Sequence, residues 1–215
     1  MKMSFLSIET SLNRIFLVLY CNKKLFSNNR LIENSIEVEI NHMFDYILAK
    51  GDIEFNELDF IMVSLGPGSY TGTRLGLAAA KAISISIDKP IIGYTNFDSV
   101  FKQGLIDGYI EKNSSAGVVI KVNKHECYYQ KISKNKLNNF KILKINSLKS
   151  KNYISENLVG ICEDLAKTKN YNFCLPKKEA ILNIFISQFK DINNNKNKNL
   201  EPLYIKGHYA EKKKH

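Results

Sequence analysis

Two hydrophobic periods alternate along the first hundred residues. Phe5 to Ile8 and Ile15 to Tyr20 are short alternating or apolar runs joined by the polar turn Thr10-Ser11-Leu12-Asn13. That pattern predicts a β-hairpin, with a third strand near Leu25 to Ile32. The period then becomes helical: Ile36, Ile40, Met43, Phe44 and Ile47 fall on one face, Asn34 with Glu37 three residues on has the form of a capping box, and Gly51 supplies a stop. Phe60 to Leu65 is an apolar strand that runs into a glycine-rich turn and a second helix, and Pro90 to Gly93 is a further strand. The order is β-β-β-α-β-α-β, an α/β arrangement.

Beyond this point the pattern weakens. Thr95 with Asp98 opens a helix over 95–106, and Gly117 to Val122 and Cys127 to Ile132 read as two strands about a turn. A strand near Phe140 to Ile145, helices within 154–168 and 178–190, a polar linker from Asp191 to Asn199 and a last strand over Leu203 to Ile205 complete the expectation. The chain divides into an N-terminal lobe over 1–107, a smaller lobe over 108–205 and a basic tail over 206–215.

Residues 66–80, Gly-Pro-Gly-Ser-Tyr-Thr-Gly-Thr-Arg-Leu-Gly-Leu-Ala-Ala-Ala, constrain function most. Pro67 fixes one backbone angle, while Gly66, Gly68 and Gly72 permit positive φ, so the loop can turn sharply with amide N–H groups exposed to an anion. The Walker pattern is absent, because Thr73-Arg74 stand where Lys-Ser/Thr is required. Within the helix, Gly68, Gly72, Gly76 and Ala80 recur every four residues, and Ile83 and Ile87 continue the stripe. Such a ridge lets another element approach closely. A different apolar line, Leu75, Ala78, Ala82 and Ile85, occupies another face. Two sides of this helix therefore want cover, one from the protein's own sheet and the other from a neighbouring helix of the same chain or of a partner.

Composition adds limits. The chain has 215 residues, 44% of them hydrophobic, enough for a sizeable core in two small lobes. It contains no 18-residue apolar run, and its first residues run into a strand without a cleavable small-residue site, so the expectation is a cytoplasmic protein with no membrane partner. Cys21, Cys127, Cys162 and Cys174 are far apart and form no C-x-x-C pair, which favours reduced structural thiols over a zinc cage. The net charge of +10 lies in the second half, where Lys and Arg number 22 against 10 acidic residues. Either an acidic partner such as RNA or a biased base composition, visible in the Asn-Lys runs, accounts for it.

The loop and helix resemble the signature of the TsaB family, the non-catalytic subunit of the bacterial machinery that installs threonylcarbamoyladenosine beside the tRNA anticodon. Glu9-Thr10-Ser11 resembles the family's acidic-Thr-Ser turn, Glu126-Cys127-Tyr128 its Glu-x-Tyr strand, and Pro202-Leu203-Tyr204-Ile205-Lys206 its closing Pro-x-Tyr segment. Glu9 is longer than the usual Asp, and Asn34 to Glu37 replace the His-containing opening of the first helix in many relatives. The resemblance implies an actin-like, ribonuclease-H-like ATPase fold with two lobes of mixed sheet and flanking helices. It implies a chain without catalytic residues, cofactor or metal of its own, which binds and activates the TsaD transferase. The TsaE ATPase joins that pair, ATP and Mg²⁺ belong to the partner subunits, and tRNA is reached through the complex. Smooth helices self-associate, so a homodimer and a monomer are both open for the chain alone.

On that basis the partner-docking residues are Gly68, Gly72, Gly76, Ala80 and Ile83 with Ile36, Ile40, Met43 and Ile47, beside the motif loop of Gly66, Pro67, Gly68, Ser69, Tyr70, Thr71, Gly72 and Arg74. The competing reading is an autonomous ATPase or kinase using Glu9, Thr10 and Ser11 around phosphate or Mg²⁺. A free RNA-binding module is a third. Hydrolase chemistry finds no support: His42 and His125 lack the His-Glu-x-x-His spacing, and Ser69 sits in no Gly-x-Ser-x-Gly elbow.

Overall fold

The computed structural model describes residues 3–32, 35–133, 136–137, 139–150, 153, 156–189 and 200–205. The expected Asn34 cap with its Glu37 partner, the linker over Asp191–Asn199 and the tail from Lys206 lie outside what is described.

The first sheet follows the hydrophobic pattern closely. Strands β1 (Phe5–Glu9), β2 (Arg14–Cys21), β3 (Lys24–Leu31), β4 (Phe60–Ser64) and β5 (Ile91–Tyr94) assemble in the order β3-β2-β1-β4-β5. The β1–β2 and β2–β3 pairs are antiparallel, whereas β4 lies parallel to β1 and β5 parallel to β4. Alternation gives this sheet two apolar faces. Leu6, Ile8, Ile15, Leu17, Leu19, Ile61 and Val63 point to one core, shared with Ile40, Met43, Phe44 and Ile47 of α1 (Ile36–Gly51) and Leu77 and Ala80 of α2 (Tyr70–Ile87). Their odd-even neighbours Phe5, Phe16, Val18 and Met62 form the opposite core.

The second sheet repeats the plan. β6 (Ala116–Lys121) pairs antiparallel with β7 (Glu126–Ser133), which in turn pairs with β8 (Lys136–Leu137) and β9 (Lys141–Lys144). β10 (Leu158–Ile161) and β11 (Tyr171–Phe173) then add in parallel on the other side of β6. This is the β1-to-β5 order a second time, and the expected α/β architecture of two mixed sheets with flanking helices is present. Among the described residues, a four-residue α4 (Ile145–Leu148) and a 3₁₀ turn (Glu163–Leu165) stand where the first sheet has α1 and α2.

Two helices cross between the sheets. α3 (Asn96–Ile106) follows β5 but packs Phe97, Val100 and Phe101 against Val118, Ile120 and Val159 of the second sheet. α5 (Lys178–Phe189) follows β11 but returns Ile181, Ile184 and Phe185 to the far face of the first sheet. A boundary at 108–205 therefore does not follow one sheet. Three expectations are corrected and one strand was not foreseen. Residues 158–161 are a strand, because Leu158 faces one core and Val159 the other, the mark of a central strand buried on both sides. β11 had no apolar run long enough to predict it. Leu203 to Ile205 make no strand. Helix α1 ends on Asp52 in the left-handed region (φ 51°), with Gly51 still inside the helix.

All four cysteines are free and buried. Burial pushes the Cys127 and Cys174 thiols up to about 12 from an ordinary 9.0. The unfolded chain releases these protons near pH 9 while the folded chain keeps them, so stability falls as pH rises from about 9 toward 12. Urea titrations at pH 8 and pH 10 check this decline, and a thiol-reactive dye should find four groups only after unfolding.

Candidate functional site

The loop after β4 is built around a polar hub. Asn96, fully buried at the start of α3, donates through Nδ2 to Ser11 Oγ (2.7 Å) and to the Pro67 carbonyl (2.9 Å), and its Oδ1 accepts from Ser64 Oγ at 2.7 Å. Its backbone N–H donates to the Gly66 carbonyl at 2.7 Å. One asparagine thus ties together β4, the loop, the hairpin turn and α3. Nothing in the sequence marked it beyond its place after the Thr95 cap, since a lone Asn carries no periodic signal.

Of the loop glycines, Gly66 alone has positive φ, at 86°. Gly68, Gly72 and Gly76 serve close approach instead. A Cβ at Gly68 meets the Ser11 carbonyl, one at Gly72 meets the Thr10 carbonyl, and one at Gly76 meets Thr10 Oγ1. Thr10 also donates its hydroxyl to the Gly72 carbonyl at 2.6 Å, and Ser69 donates its N–H to the Ser11 carbonyl at 2.8 Å. The loop amides are largely occupied: Gly66 N–H bonds Ser64 Oγ, Gly72 N–H bonds the Ser69 cap, and Thr73 N–H bonds the Ser69 carbonyl. These bonds make the loop a helix cap and a turn-to-turn lock.

This geometry corrects the expected docking face. Gly72, Gly76 and Ala80 are buried under the β1–β2 turn of their own lobe, and Gly68 is half-buried there. Ile40, Met43 and Ile47 are core residues, with Ile36 and Ile83 half-buried against them. The physical reason is that the smooth stripe lets α2 approach a sheet turn. The other side of α2, read from the sequence as a separate apolar line, is outward: Ala78, Ala82 and Ile85 are exposed and Leu75 half-buried. Ile85 is 80% exposed, and α1 adds Val38 at 61% and Tyr46 at 51%. These two helices share one core beneath.

The acidic turn is committed internally. Glu9 and Arg14 are buried to 2% and 3% exposure and paired at 3.3 Å. Glu9 Oε1 accepts from Ser11 N–H (2.5 Å), Ser11 Oγ (2.8 Å) and Leu12 N–H (3.0 Å). Arg14 donates to the Pro176 carbonyl at 2.8 Å and lies over the Phe16 ring at 4.2 Å. Burial draws the Arg14 guanidinium below its ordinary value, against the raising effect of Glu9. Breaking such a pair from one side leaves an uncompensated buried charge, which costs about 3–5 kcal/mol. His42 and His125 are both exposed, on α1 and in the β6–β7 turn.

Between the sheets lies a cleft of about 870 Å³, lined by Ser11, Tyr70 and Thr73 on one side and Ile120, Lys121 and Tyr128 on the other. Lys121 pairs with Asp164 at 2.6 Å and Glu163 at 3.7 Å. Among the described residues no helix is long and apolar enough to cross a membrane, and no group of three His, Cys, Asp or Glu gathers as metal ligands.

The family model described as TsaD, tRNA N6-adenosine threonylcarbamoyltransferase, matches residues 31–193. The chain is 30% identical over 131 residues to the tRNA threonylcarbamoyladenosine biosynthesis protein TsaB of Buchnera aphidicola subsp. Acyrthosiphon pisum, covering 61% of this chain and 58% of that one. It is 25% identical over 135 residues to the protein of the same name from Haemophilus influenzae, covering 63% and 56%. The chain thus spans less than three fifths of the length of these curated relatives. Among solved structures, YeaZ from Pseudomonas aeruginosa superposes with a TM-score of 0.76 at 13% identity, over 94% of this chain and 99% of that one, a likeness of fold.

Two substitutions on opposite sides of α2 have opposite consequences. Gly76→Leu forces a side chain into Thr10 and destabilises the fold by about 1–3 kcal/mol or more. Ile85→Lys changes stability by less than about 0.5 kcal/mol, as an exposed site should. Paired chemical denaturation curves measure both.

Proposed function

We propose that this chain, which belongs to the TsaD family of tRNA N6-adenosine threonylcarbamoyltransferase proteins and groups within it with relatives named TsaB, is an accessory subunit of tRNA threonylcarbamoylation. Its task is to bind the TsaD transferase and hold it in its competent arrangement. The observation that carries this role is the set of exposed apolar side chains on α1 and α2: Val38, Tyr46, Ala78, Ala82 and Ile85. Large exposed apolar side chains grouped on adjacent helices mark a protein-docking surface. Small residues at 78 and 82 let a partner helix approach closely. The mechanism is conformational: a subunit that favours the active form of its partner raises the populated active fraction without adding a reacting group.

The accessory role draws its second support from the Glu9 turn, whose carboxylate is fully engaged by Ser11, Leu12 and Arg14. In an autonomous ATPase or kinase this turn would have to release those bonds to meet phosphate or Mg²⁺. ATP and Mg²⁺ belong in this scheme to TsaD and the TsaE ATPase, and tRNA meets the assembled complex in the cytoplasm. When TsaD is absent, a second copy of the chain covers the same helices as a homodimer.

The test is co-purification. Ala82→Arg and Ile85→Asp should each leave the circular dichroism spectrum and melting curve unchanged and reduce recovery of TsaD by at least about tenfold, the loss expected when a central contact of 1.4 kcal/mol or more is removed. Undiminished recovery of TsaD by both variants rejects this surface. Separately, titration of the isolated chain with labelled ATP and Mg²⁺ should give no turnover, and hydrolysis by the purified chain would restore the ATPase alternative.

A further inference from the structure

The segment from residue 200 to 205 forms no helix or strand, yet it touches both lobes at successive residues. Leu200 packs into the first-lobe core shared by α1 and α2, against Gly93 of β5. Leu203 donates its N–H to the Leu65 carbonyl at 2.8 Å, at the end of β4. The side chains of Leu203 and Ile205 then enter the other core, which β6, β7, β10 and α3 share. Between them Tyr204 turns back to α2. Its hydroxyl accepts from Arg74 Nε at 2.9 Å, and its ring lies 5.3 Å from Tyr70. The Arg74 guanidinium covers the Tyr70 ring at 4.3 Å and lies 6.0 Å from that of Tyr204.

Leu203, Tyr204 and Ile205 also line the cleft between the sheets. We infer that residues 200–205 are an interlobe clasp: an extended strap that anchors in both cores, is latched to α2 through Arg74 and Tyr204, and holds the cleft at a fixed width. The chain crosses between lobes at α3 and again before α5, and these connections act as the hinge about which the lobes can rotate. Two packed bodies joined by a short hinge move as rigid units unless a further contact spans them. The strap adds such a contact to those made by the Arg14–Pro176 hydrogen bond and by α3 and α5, through a backbone hydrogen bond on one side and two apolar side chains on the other. The latch is surface-exposed: Arg74 stacks on Tyr70 of its own helix, and the strap is held by the Arg74–Tyr204 hydrogen bond and the Tyr70–Tyr204 ring contact. The latch lies outside both cores, so removing it loosens the strap without unfolding either lobe.

The clasp is tested on the full chain alone, without any partner. Spin labels on Asn41→Cys in α1 and Lys167→Cys in the second lobe report the interlobe distance, because the four native cysteines are buried. The parent should give one narrow distance distribution. Tyr204→Ala, at a residue already exposed, should broaden it roughly twofold or shift it to longer distance, and Leu203→Ala should do so further, each with an unchanged circular dichroism spectrum. A Tyr204→Ala distribution superimposable on the parent overturns the clasp, whether Leu203→Ala folds or not. Should Leu203→Ala unfold, broadening by Tyr204→Ala alone still upholds it.

Discussion

One close approach organises the first lobe: α2 lies against the β1–β2 turn with nothing but glycine between them. Thr10 hydrogen-bonds the Gly72 carbonyl and fills the space a side chain at Gly76 would need. An interior glycine costs a helix on the order of 1 kcal/mol relative to alanine. Here that cost is offset by a hydrogen bond and by the apolar contacts of Leu77 and Ala80 with the sheet beneath. Because one side of α2 is committed in this way, its opposite side is necessarily the exposed one, and Ala78, Ala82 and Ile85 acquire their position from Thr10.

The same contact explains how much of the molecule was legible in its sequence. β1, β2 and β4 of the first sheet read clearly because they are buried on both faces and form short continuous apolar runs, and α1 keeps helical spacing from Ile36 to Ile47. The capping box of Thr95 and Asp98 was visible as local chemistry and is present, with Thr95 Oγ1 accepting from Asp98 N–H at 3.0 Å. The glycine stripe was equally visible, but its direction was not. A bare ridge says that something comes near, and Thr10, sixty-two residues upstream of Gly72, is a long-range neighbour that no spacing rule identifies. The second lobe was harder to read because its parallel strands are short, four residues in β10 and three in β11, too few to separate a buried strand from a helix by period. Asn96 was invisible for a related reason: its four hydrogen bonds join segments distant in sequence.

The two sheets repeat one plan, yet they are not equivalent. The first keeps two full helices, α1 and α2, over one face, whereas the second has a single helical turn and a 3₁₀ turn at the corresponding positions. What the second lobe lacks in cover, α3 supplies from the first, and α5 makes the reverse exchange. This exchange, with the Glu9–Arg14 pair reaching Pro176, gives the lobes a shared foundation on one side of the cleft. On the outer side of α1 and α2, Val38, Tyr46 and Ile85 remain exposed.

Footprinting of side chains by a carbene-generating label, with and without TsaD, tests the central claim most directly. The account predicts that Val38, Tyr46 and Ile85 label strongly in the isolated chain and lose labelling when TsaD is added, while Ile40, Met43 and Ile47 remain unlabelled in both states. Labelling of Val38, Tyr46 and Ile85 that persists undiminished in the complex would contradict it.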